Sequence, residues 1–117
     1  MNIDVSIYNY WPRAIYDVAV NGQYAGGAYM AYHPGGAGGS TVCCVNVKPG
    51  PISIDYSLGG PEGAPRLGER IHATAVLREL PGDSRVLTMH VYPNETAVAE
   101  ASKEYVDERP APEEKRQ

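Results

Sequence analysis

The residues best equipped for chemistry are Cys43 and Cys44, adjacent thiols within the stretch Gly35 to Gly50, GGAGGSTVCCVNVKPG. Neighbours in a regular strand point to opposite faces, so two such thiols do not converge on one ion or one substrate. Three readings remain. In the first, one cysteine lies in the core and the other nearer the surface, each behaving as a small hydrophobe. In the second, Cys43 and Cys44 close a vicinal disulfide, against the usual preference for Cα atoms farther apart than neighbours sit. The third, redox or metal chemistry, lacks both a C-x-x-C spacing and an electropositive setting.

His33, His72 and His90 offer imidazoles, but alternation sends His72 and His90 to outward strand faces and leaves His33 beside the glycine run. A solvated surface is the preferred reading, and no metal site is expected. The glycine run lacks the GK[ST] ending of a phosphate loop and enters a strand where such loops enter a helix. No nucleophile elbow, no H-E-x-x-H and no acid/base pair is placed by spacing. The expectation is a chain with no catalytic residues and no cofactor, and therefore not an enzyme.

Nine tyrosines with no phenylalanine carry more information. Tyrosine joins an apolar ring to a polar tip, which suits half-wet surfaces and interfaces. Tyr24, Tyr29, Tyr32 and His33 precede Gly35, Gly36, Gly38 and Gly39, and these eight residues form the candidate partner-binding set. The competing reading makes the tyrosines strand-surface and core-rim residues.

Strands must position these groups. Ile3, Val5 and Ile7 alternate with Asp4, Ser6 and Tyr8, a period of two. Tyr16, Val18 and Val20 alternate with Ile15, Asp17 and Ala19, and Asn21-Gly22 supplies the pair that a tight hairpin turn requires. Ala28 to His33 reads as a short edge strand. Thr41 to Lys48 resumes alternation, with Cys43 and Val45 opposite Cys44 and Asn46. The clearest amphipathic strand sets Ile52, Ile54 and Tyr56 against Ser53, Asp55 and Ser57. After the glycine- and proline-rich loop 58–68, Ile71, Ala73, Ala75 and Leu77 face inward, then Leu87, Met89 and Val91 alternate with Thr88, His90 and Tyr92, and a weaker strand covers 96–102.

Roughly seven or eight short strands predict an all-β fold, an antiparallel Ig-like β-sandwich or a partly open barrel. Residues 1–106 form a single β domain, and the charged, proline-bearing 107–117 is expected to be a flexible tail. A net charge of -4 with scattered basic residues argues against nucleic acid. No apolar run reaches the roughly 18 residues of a membrane-spanning helix. The first residues carry no basic and apolar leader pattern, so the expectation is a cytoplasmic protein or one whose leader is absent from this sequence.

Three segments in order, VNGQYAGG (20–27), GGAGGSTVCCVNVKPG (35–50) and VLTMHVYPNETAVAEAS (86–102), carry a resemblance. The chain resembles a family of small bacterial proteins of unknown function, often lipoproteins, with a glycine run leading into Val-Cys-Cys-Val. Genes of that family are often found beside type VI secretion effectors, particularly lipase-type toxins and their accessory proteins. The sequence departs from the pattern in having no lipobox leader and no matching motif in 58–68. The resemblance implies a periplasmic immunity protein, with a lipid anchor in any full-length precursor, that binds a cognate effector and occludes its active or membrane-docking surface. A ligand- or carbohydrate-binding sandwich is the alternative, and a thiol or metal protein the third reading.

Overall fold

The computed structural model describes residues 2–31 and 40–103, and there the chain forms nine strands and no helix. In chain order they are β1 (Asn2–Asn9), β2 (Ile15–Val20), β3 (Gln23–Tyr24), β4 (Ala28–Tyr29), β5 (Ser40–Asn46), β6 (Gly50–Leu58), β7 (Arg70–Leu77), β8 (Val86–Val91) and β9 (Ala97–Ser102). One sheet has the order β5-β1-β8-β9; the other runs β3-β2-β6-β7, with β4 also pairing with β2. The fold is a β-sandwich of two open sheets, not a closed barrel. One pairing departs from the antiparallel expectation: β1 runs parallel to β8, from Asp4 opposite Val86 to Asn9 opposite Val91.

Two facing sheets need each inner face to be apolar, and the sequence supplies this by alternation. Ile52, Ile54 and Tyr56 on β6 and Ile71, Ala73, Ala75 and Leu77 on β7 are buried, as the period-two pattern predicts. They meet Ile3, Val5 and Ile7 of β1 and Leu87, Met89 and Val91 of β8 in one core. Fully burying each such Ile, Leu or Met contributes about 1.5–3 kcal/mol. Trp11, in the β1–β2 connection, is buried beside this core, and its Nε1–H donates to the Tyr56 hydroxyl at 2.9 Å.

The β2–β3 hairpin turns at Asn21 (φ 49°) and Gly22 (φ 76°), the left-handed pair that the Asn-Gly signal predicts. Strand β2 departs from simple alternation. Ile15, Val18 and Val20 are buried while Tyr16 and Asp17 are exposed, because the pairing with β6 shifts between Tyr16 and Ala19 and Asp17 takes φ 50°. This is a β-bulge, and it moves Tyr16 to the outer face with Asp17. Arg70 Nη1 donates to the Asp17 carbonyl at 2.6 Å.

The segment between β6 and β7 is an exposed loop held at both ends. Arg13 donates from Nε to the Gly59 carbonyl at 2.6 Å and from Nη1 to the Pro65 carbonyl at 2.7 Å. Gly59 lies under the Tyr16 ring, where any Cβ would collide. The two sheets also meet at their edges. Gln23 exchanges two hydrogen bonds with the Asn46 backbone, at 3.0 and 3.1 Å, and β7 lies against β9. Among the described residues no helix is long and apolar enough to cross a membrane. The expected tail, 107–117, lies outside the described residues.

Burial pushes the hydroxyls of Tyr29 and Tyr56 from 10.0 up to about 12, chiefly by desolvating the phenolate. The native state therefore holds these protons more tightly than the unfolded chain does. The resulting stability is complete below pH 10 and is lost as the pH rises through about 12. Urea midpoints should fall steeply across this window, and the Tyr29→Phe/Tyr56→Phe variant should show a shallower fall.

Candidate functional site

The two cysteines sit at the second irregularity of the fold. In the β1–β5 pair, Ile3 is opposite Val45 and Val5 opposite Val42, so both Cys43 and Cys44 face the single residue Asp4. Two residues against one define a bulge. It breaks the expected alternation: Val42 packs against the core and Val45 is buried, while Cys43 and Cys44 are both exposed on the outward side. They do not separate into one core and one surface thiol. Cys43 and Cys44 are joined as a vicinal disulfide. Asp4 lies beside them, with Oδ1 at 3.8 Å from the Cys44 sulfur. A disulfide sulfur carries no hydrogen, so this is a contact and not a hydrogen bond.

Farther along the same outward face lies a buried polar cluster. Tyr8 and Tyr10 stack on the His90 ring at centroid separations of 5.6 and 5.8 Å, and Tyr92 stacks on Tyr10 at 5.0 Å. His90 Nε2 lies 2.8 Å from Glu100 Oε2, and Nδ1 lies 3.0 Å from the Tyr10 hydroxyl. A carboxylate only accepts, so Nε2 carries a proton, and in the neutral ring Nδ1 accepts from Tyr10. His90 is thus on the outward face, as expected, but is fully buried and not solvated, because aromatic rings cover it. Among the described residues, the buried hydroxyl of Thr88, its neighbour on that face, has no hydrogen-bond partner.

The outward face of the other sheet is different in kind. Strand register places Tyr24, Ala19, Asp55 and His72 in one row across β3, β2, β6 and β7. An adjacent row holds Tyr16, Ser57 and Arg70. Tyr24 is 70% exposed, Val76 59% and Tyr16 41%. His72 Nδ1 lies 2.7 Å from Asp55 Oδ1, and the Thr74 hydroxyl lies 3.4 Å from His72 Nε2. The order carboxylate, imidazole, hydroxyl is that of a hydrolytic triad. The His72 side chain is 62% exposed, however, and the group is a solvated cross-strand pair with a long hydroxyl contact.

The candidate partner-binding residues divide. Tyr24 is exposed on this face. Tyr29 is buried, its hydroxyl donating to the Ala25 carbonyl at 2.6 Å, and so cannot contribute to a surface. Tyr32, His33, Gly35, Gly36, Gly38 and Gly39 lie outside the described residues. Sequence reasoning missed Asp4 as a neighbour of the cysteines and missed Glu100 and Tyr10 as partners of His90. No family model, curated protein or solved structure matches this chain.

The two histidine pairs should respond differently to deletion. His90→Ala removes two hydrogen bonds and a buried, ring-stacked side chain and should cost about 1–3 kcal/mol in urea unfolding. His72→Ala, on the solvated face, should change stability by no more than about 0.5 kcal/mol.

Proposed function

We propose that this chain acts by binding and not by catalysis, as a periplasmic immunity protein that neutralises a cognate type VI secretion effector, a lipase-type toxin, by covering its active or membrane-docking surface. The observation carrying this reading is the outward face of the β3-β2-β6-β7 sheet. Tyr24, Tyr16 and Val76 are exposed there beside His72 and Arg70. Aromatic and Arg side chains dominate the energetics of protein interfaces, and a rigid sheet presents them with little ordering cost on association. A standard interface needs roughly 800 Å² from each partner. The partner class comes from the sequence resemblance.

The test is copurification with the product of the adjacent open reading frame, which this reading requires to be a lipase-type effector. A stable complex with loss of lipase activity is expected, and Tyr24→Ala/His72→Ala should weaken it about tenfold or more. Absence of a complex, or undiminished binding by the double variant, would contradict the proposal.

A further inference from the structure

We infer that the bulge of β5 is a redox-gated site for a thiophilic divalent cation of the zinc type, with Cys43, Cys44 and Asp4 as its protein ligands. This site is on the opposite sheet from the proposed interface and is independent of it. The sulfurs of Cys43 and Cys44 and a carboxylate oxygen of Asp4 lie within 4.8 Å of one another. Backbone pairing sets both cysteines opposite Asp4. Val42 and Val45 anchor the strand on either side of the cysteines, which leaves both thiols on one outward face. Asp4 is held by its pairing with Val86 and by its N–H donating to the Arg85 carbonyl at 3.0 Å.

Two features favour a cation. Among the described residues Asp4 makes no ion pair, so its carboxylate faces the sulfurs without a compensating charge. A pair of thiolates with one carboxylate is a borderline-soft S,S,O set that suits zinc, with water completing four-coordination. A cation inserted between the sulfurs enlarges the ring that the disulfide closes by a single atom.

The gate is the disulfide itself. Cys43 and Cys44 are both exposed residues, open to a dithiol reductant. Attack by one reductant thiolate on a sulfur breaks the S–S bond and forms a mixed disulfide. The second reductant thiol then displaces the remaining protein thiolate. The reductant leaves as its own disulfide, having supplied two electrons, and its two protons are taken up by Cys43 and Cys44. Binding of a divalent cation releases those two protons. In the oxidised chain the sulfurs are bonded to each other and have no thiolate to offer.

Chelator competition with Zn²⁺ alone, on the full chain free of any tag, tests the inference. Cd²⁺ serves as a second probe through its thiolate charge-transfer absorption. The reduced protein should take up one equivalent, and the oxidised protein should bind at least about 100-fold more weakly. Asp4→Asn, which retains both thiols, should weaken binding by about tenfold or more, and Cys43→Ser/Cys44→Ser should show no thiolate band. The inference is overturned if the dithiol reductant fails to open the disulfide, if the reduced chain binds no better than the double serine variant, or if Asp4→Asn binds as tightly as the parent.

Discussion

The architecture depends on one constraint: two sheets share a core, so every inner face must present apolar side chains in a fixed register. A slip of one residue would turn a strand's apolar set to the outside. Strand β1 shows the constraint most clearly. Its inward Ile3, Val5 and Ile7 are buried while its backbone pairs with β5 on one side and β8 on the other. Where a neighbouring strand carries one residue too many, the register is preserved by a bulge. Both bulges leave two consecutive residues on the outward side: Tyr16 and Asp17 on β2, Cys43 and Cys44 on β5.

The outward faces then take different characters. On the β5-β1-β8-β9 sheet, Ser6, Thr88 and His90 point away from the core yet are buried. Of these, His90 has its ring nitrogens matched by Glu100 and Tyr10. On the β3-β2-β6-β7 sheet the outward residues remain exposed, with polar groups paired across strands, as His72 is with Asp55. The first sheet thus covers His90 with the rings of Tyr8 and Tyr10, while the second exposes Tyr24, Tyr16 and Val76 to solvent.

Much of this was legible in the sequence. The inward residues of β6 and β7, the Asn21-Gly22 turn and the all-β class follow from period-two patterning and turn chemistry. The bulges were not read, although they leave a signal. Ile15 and Val18, like Val42 and Val45, are inward residues three apart in segments otherwise of period two. Alternation also says which face a side chain takes but not what covers it, so His90 looked solvated. Tyr29 looked like a surface tyrosine because the local sequence does not disclose that Ala25 lies within reach of its hydroxyl. The parallel β1–β8 pairing joins segments far apart in the chain, and no local pattern encodes it.

The central claim is that the β5 bulge brings Cys43 and Cys44 together on one outward face as a bonded pair. Intact-mass measurement after alkylation of the denatured chain, purified without reductant, tests this directly. The account predicts no alkylated thiol before reduction and two after it, with the Cys43–Cys44 link recovered within a single peptide. Two alkylated thiols in the unreduced chain would contradict it.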